Sequence, residues 1–146
     1  MRISAKADYA IRALVELAAD TGRPLSCEAI AASQDIPYRF LKSVLSDLRH
    51  VGLVRSQRGC EGGYWLGRDP AAITLADAVV AVDGSLMTVN GTAPEHLTHP
   101  APAQRVRAVW EAVRERTERV LTGLTIADLL TETPGAEAEE LLSALV

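Results

Sequence analysis

Arg58 stands in a segment rich in backbone freedom. Gly59, Gly62 and Gly63 surround Cys60 and Glu61, and apolar runs at Leu53-Val54 and Tyr64-Trp65-Leu66 flank the whole. Two short apolar runs around a glycine-rich turn read as a β-hairpin. Glycine reaches positive φ at little cost and lets a backbone lie close to another surface, so Arg58 and Gly59 sit where a guanidinium can reach a phosphate or a groove. A structural hairpin with a solvated arginine is the plainer alternative.

The residues before the hairpin carry a second set of hydrogen-bonding groups. From Pro37 to Val51 the apolar residues Phe40, Leu41, Val44, Leu45, Leu48 and Val51 recur at helical spacing, which predicts one stripe facing a core. Tyr38, Arg39, Lys42, Ser43, Ser46, Arg49 and His50 lie on the remaining face. Arginine and lysine pair with phosphates and guanine edges, and hydroxyls bond to either. Upstream, Ser26 can cap a short helix through Ala29, Ile30 and Ala32, and Gln34-Asp35-Ile36 makes a tight connection. A short helix, a tight turn, a helix with one basic face and then a hairpin form the layout of a winged helix-turn-helix.

The charge of the chain agrees once it is divided. The 146 residues carry a net charge of −4. Residues 1–68 hold ten Lys and Arg against seven Asp and Glu, a net +3, and residues 69–146 hold five against twelve, a net −7. Phosphate neutralisation needs local positive charge, not a basic whole. A hydrophobic fraction of 48% and a charged fraction of 23% are ordinary for a globular protein. There is no run of about 18 apolar residues and no basic-then-apolar leader, which predicts a cytoplasmic location and no membrane partner. Cys27 and Cys60 are too few for a disulfide framework or a four-thiolate metal site.

The elements around this core of motifs follow from the same rules. A helix is expected from Ser4 to about Asp20, with Ala7, Ala10, Ile11, Leu14, Leu17 and Ala18 inward. Thr74 caps another, with Leu75, Ala78, Val79 and Val82 apolar and Gly84 as its stop. Residues 84–101 show no periodicity and read as a loop, a candidate place for an effector. A long helix is expected over 102–122, in which Val106, Val113 and Val120 recur every seven residues and Trp110 lies on the same side. Such a seam suits a partner helix, and its flanks alternate Arg105, Arg107, Arg114, Arg116 and Arg119 with Glu111, Glu115 and Glu118. An intramolecular seam is the competing reading. Thr125 is expected to cap a further helix through Leu130, and Glu137 to Leu145 a short acidic one. The organisation expected is therefore 1–83 for DNA binding, 84–101 for a loop that takes a signal, and 102–146 for dimerisation. The fold class is mainly α with a small hairpin wing.

Enzyme chemistry finds no footing. There is no phosphate-binding glycine loop leading into a helix, no HExxH, and no nucleophile with a base nearby in sequence. The competing non-enzymatic reading is a protein-interaction module on a winged-helix scaffold that has lost DNA contact. Retention of Arg39, Lys42, Arg49 and Arg58 argues against it.

The opening Met1-Arg2-Ile3-Ser4-Ala5-Lys6-Ala7-Asp8-Tyr9-Ala10 resembles that of the Rrf-two family of bacterial winged-helix regulators, the IscR, NsrR and CymR type. So do Gly52 to Gly59 with Gly62 to Leu66, Ile73 to Val79, Val82-Asp83-Gly84, and Thr125 to Leu129. The resemblance covers most of residues 1–130. It implies a homodimeric regulator, a repressor acting on a palindromic operator, whose long helix crosses its partner's. It places DNA contacts at Ser26, Tyr38, Arg39, Lys42, Ser43 and Arg58. Iron–sulfur members carry three close cysteines before the long helix, whereas Ser85 to Gln104 here contain none. Asp8 matches a position where some members supply a carboxylate ligand, and His96 and His99 are the other donors, but one carboxylate without thiolates holds no cluster. No cofactor is expected. The signal is then a small molecule or a partner protein at the 84–101 loop, or oxidation of Cys60 beside Arg58, since a thiolate is the reactive form and its neighbours set its abundance. Cys27, at the start of a helix, is expected to gain some thiolate character from the helix dipole.

Overall fold

A computed structural model describes residues 2–132 and 135–143. Helix α1 (Ala5–Ala19) begins at Ser4, whose Oγ accepts the Ala7 N–H at 2.9 Å, and buries Ala7, Ala10, Ala13, Leu14, Leu17 and Ala18. Helix α2 (Cys27–Gln34) is capped by Ser26 and ends at Asp35, which adopts a left-handed conformation at φ 50°. That residue turns the chain within the space of Asp35-Ile36-Pro37 into α3 (Tyr38–His50). Three hydrogen bonds brace the turn: Arg12 of α1 donates to the Gln34 carbonyl, and Glu16 accepts from Ser33 and Gln34.

The wing consists of β1 (Val54–Gln57) and β2 (Gly63–Leu66), antiparallel, with Val54 opposite Leu66 and Gln57 opposite Gly63. A third segment joins it. Leu25 and Tyr64 exchange backbone hydrogen bonds of 2.9 and 2.8 Å, so the α1–α2 connection pairs with β2 and fixes the hairpin to the helix-turn-helix. Gly63 permits this approach: its φ is +144°, and a Cβ there would lie 2.8 Å from the Leu25 carbonyl oxygen.

Helix α4 (Leu75–Asp83) starts with a reciprocal Thr74–Asp77 capping box and stops at left-handed Gly84. It packs against α1 and α3. The following segment is largely irregular, with a tight Val89–Thr92 turn and one helical turn at Pro94–His96 lying against the next helix. The long helix, α5 (Val106–Gly123), is preceded by a single 3-10 turn over Ala103–Arg105, so it begins four residues later than expected. Beyond it, Ile73 and Ile126 pair, and Leu124, Ile126 and Ala138 enter the same hydrophobic core as α1 to α3.

Three expectations are corrected. Phe40 and Val51 do not join the core stripe of α3, which Leu41, Val44, Leu45 and Leu48 complete without them; they stay exposed at 58% and 43%. The segment after Thr125 is a 3-10 turn, Ala127–Leu130, in which the Asp128 carboxylate accepts the Thr125 N–H at 2.8 Å and hydroxyl at 2.7 Å. The terminal helix, α6, runs Ala136–Ser143, and the break expected at Pro134 lies outside the described residues, as does Leu145. Cys27 is buried, and burial, helped by Glu28 and opposed by Lys42, pushes its thiol pKa up, away from the thiolate. Desolvation disfavours the charged form there.

Candidate nucleic-acid interface

Tyr38, Arg39, Lys42, Ser43, Ser46 and Arg49 are all exposed on α3, and Ser26 is exposed at the start of α2. The reason is the buried stripe: once Leu41, Val44, Leu45 and Leu48 point inward, 3.6 residues per turn leave positions 39, 42, 43, 46 and 49 outward. Lys42 Nζ lies 5.8 Å from the centroid of the Tyr38 ring, one turn away, which holds the two side chains together. The Ser26 hydroxyl accepts the Ala29 N–H at 3.1 Å, so its oxygen serves the cap of α2.

The wing joins this face. A cleft of about 470 Å³ lies between α3 and the hairpin, lined by Lys42, Ser46 and Arg49 on one wall and Ser56, Gln57, Arg58, Gly63 and Tyr64 on the other. Three cations converge on it and no carboxylate lines it. Arg49 Nη1 donates to Ser56 Oγ at 3.2 Å across the cleft. Arg58 and Gly59 are exposed beyond the end of β1, with Gly59 at φ +112°, a conformation that favours glycine.

Several cations elsewhere in the molecule are paired with carboxylates, and those of this face are not. Arg12 pairs with Asp8, Lys6 with Asp47, Arg107 with Glu111, and Arg114 with Glu118 and Glu95. Among the described residues, Arg39, Lys42, Arg49, Arg55 and Arg58 form no salt bridge. Lys42, Arg49 and Arg58, gathered around one cleft without carboxylates, produce the local positive field that a polyanion needs.

The candidate dimerisation residues divide into two groups. Val120 packs against the protein's own core, together with Leu121. Val106 is exposed, Trp110 and Val113 are half-buried, and Val109, between them, is 56% exposed. No residue of α5 is fully buried within one chain. Val109, three residues after Val106 and four before Val113, lies on the apolar side of the helix that the sequence marks, at the position between two members of the seven-residue repeat.

Cys60 is exposed in the hairpin loop, and Cys27 is buried at the start of α2. Neither stands in the segment between α4 and α5, where His96 and His99 are the available donors. Among the described residues no three His, Cys, Asp or Glu gather as a metal-binding group. Iron–sulfur clusters are held chiefly by thiolates converging on one point. This donor set does not fit one. No helix among the described residues is long and apolar enough to cross a membrane.

The comparisons with known proteins agree with this geometry. The model of the Rrf2 family, described as an iron-dependent transcriptional regulator, matches residues 3–132. A Mycobacterium tuberculosis protein with the provisional name of an HTH-type transcriptional regulator is 42% identical over 130 residues, covering 88% of this chain and 81% of its own length. The HTH-type transcriptional regulator CymR of Bacillus subtilis is 36% identical over 138 residues, covering 94% of this chain and 95% of its own. The solved structure of CymR, named there the global cysteine regulator of B. subtilis, superposes with a TM-score of 0.76 at 34% identity, over 91% of this chain and 98% of that one. IscR of T. potens superposes at 0.72 with 33% identity, over 89% and 86%. The chain belongs to the Rrf2 family, and it is a DNA-binding transcriptional regulator, not an enzyme.

Proposed function

We propose that the protein is a homodimeric repressor of a palindromic operator, acting in the cytoplasm. Residues 37–50 enter the major groove, with Arg39 and Lys42 reaching base edges and Ser43, Ser46 and Ser26 reaching backbone or base. Arg58 and Gly59 on the wing reach the adjacent minor groove or its phosphates. The observation that carries this reading is the cleft of three cations between α3 and the hairpin, free of lining carboxylates. Two such units on a two-fold axis read two half-sites about one helical turn apart.

The dimer is held by the free part of α5. Val106, Val109, Trp110 and Val113 leave an apolar strip that a second copy of the same helix covers by isologous packing. No iron–sulfur cluster takes part, because the thiolates such a cluster needs are absent between α4 and α5. The signal enters through the 84–101 segment, which lies against α5, as a small molecule or a protein partner.

Selection from a random duplex library with the purified protein, followed by sedimentation of the complex, tests the proposal. The expected result is an enriched inverted repeat bound by two chains. Enrichment of a single half-site bound by one chain would overturn the dimeric reading, and no enrichment would overturn specific recognition.

A further inference from the structure

Phe40 is the large apolar residue that α3 leaves outside its core. The helix completes its buried stripe without it, and the ring keeps 58% of its surface exposed. A single exposed apolar side chain is ordinary on a protein surface. Its place on this helix is not. Phe40 lies in the first turn, next to exposed Arg39, and side chains on an α-helix lean toward its N-terminus. The ring therefore projects at the end of the helix that meets base edges in helix-turn-helix proteins.

Helical spacing also gives its flank. Phe40 aligns with Asp47 and Val51, whereas Lys42 and Arg49 align on the side that faces the wing. Asp47, two turns on, is held by Lys6 of α1 at 3.1 Å, which offsets its repulsion of phosphate near Phe40. A phenyl ring has no hydrogen-bonding group to offer. In the major groove, the apolar feature of a base edge is the C5-methyl group of thymine.

We propose that Phe40 is a specificity-determining residue that packs against a thymine methyl group in each half-site, beside the hydrogen bonds of Arg39. This rests on the reading in which α3 enters the major groove. The contact favours thymine over cytosine, which shares the ring position but lacks the methyl group.

The probe is the duplex most enriched from a random library by the full-length protein. Each thymidine of one half-site is replaced in turn by deoxyuridine, which removes the methyl group alone. For the wild type, one replacement lowers affinity about fourfold, the transfer value of one buried methyl group. For Phe40→Ala the same replacement has no effect, and the variant binds the parent duplex more weakly. An enriched half-site without thymidine, or equal sensitivity to deoxyuridine in both proteins, would overturn the proposal. So would loss of dimerisation by Phe40→Ala in sedimentation, which would give the ring to a protein contact. Arg39→Ala separates the two readings. If it weakens binding while Phe40 shows no coupling to any thymine, only the Phe40 contact fails; if neither variant affects binding, the placement of α3 in the groove fails as well.

Discussion

Arg49 Nη1 donates a 3.2 Å hydrogen bond to Ser56 Oγ, joining the last turn of the recognition helix to the first strand of the wing. The pair bridges a cleft that two separate elements would otherwise leave to their own motions. It thus sets the distance between the two parts proposed to contact DNA. Ser56→Ala should weaken operator binding by about 0.5–1.5 kcal/mol, the net value of one hydrogen bond. Arg49→Ala should cost more and lower the slope of log affinity against log salt by about one, because it also removes a cation. Filter or fluorescence titrations across salt concentration check both, and an equal slope change in the two variants would contradict the bridging role of Ser56.

Arg39 and Arg58 should separate by what they read. Arg39→Ala is expected to cost about 1–3 kcal/mol on the operator and to relax preference at one base position. Arg58→Ala should weaken specific and random duplexes alike while folding and dimerisation remain intact. Equal losses on both duplexes for Arg39→Ala would restrict it to phosphate.

Val113 and Val120 of α5 should fail in different ways. Val113 is half-buried on the free part of the helix, so Val113→Glu puts an unpaired charge into the proposed seam and should raise the dimer dissociation constant about 100-fold or more. Val120 packs on the chain's own core, so Val120→Ala should lower thermal stability and leave a dimer. Sedimentation at micromolar concentration, with thermal melts, distinguishes them; a Val113→Glu protein that stays dimeric overturns the interface.

Gly63→Ala should destabilise the fold by more than about 1 kcal/mol. A Cβ at φ +144° would lie 2.8 Å from the Leu25 carbonyl oxygen, so the wing would have to lift from the α1–α2 connection. Loss of operator affinity together with a lower melting temperature is the expected pattern. An unchanged melting temperature would show that the Leu25–Tyr64 pairing contributes little.

The cysteines should differ in access. Cys60 is exposed and should be alkylated in the native protein, whereas buried Cys27 should react only on unfolding. A bulky adduct on Cys60, two residues from Arg58, should weaken operator binding, and Cys60→Ser should be immune; unchanged affinity after complete modification would remove Cys60 from signalling. Burial raises the Cys27 pKa above its ordinary value of 9.0. The folded state then keeps the proton longer than the unfolded state, so this contribution is present below pH 9 and is lost as pH rises through the raised value. Denaturant midpoints should fall more steeply between pH 9.0 and the raised value for the wild type than for Cys27→Ala.

What could be read along the chain was whatever depends on near neighbours. The 3.6-residue period of Leu41, Val44, Leu45 and Leu48 is a local property, and so are the Ser4, Ser26 and Thr74 caps and the glycine-rich turn after Arg58. These determined the helix-turn-helix, the wing and the outward face of Arg39, Lys42, Ser43, Ser46 and Arg49. The resemblance of residues 1–130 to a known family rested on the same stretches.

Tertiary structure decided what depends on distant partners. Whether Phe40 is core or surface is not written in its own spacing, since it borders the stripe and its burial depends on how closely α1 approaches that flank. Cys27 sits at a helix start, where the sequence suggests a thiolate, yet packing around it removes water and raises its pKa. Val106, Val113 and Val120 look equivalent at seven-residue intervals, but the core that returns through Leu124 and Ile126 covers only the last of them. The Leu25–Tyr64 pairing and the Arg49–Ser56 bridge join residues far apart in the chain or in separate elements, and no pattern of residue types announces them. Local periodicity is fixed by backbone geometry; which face is covered, and by what, is fixed only when the elements meet.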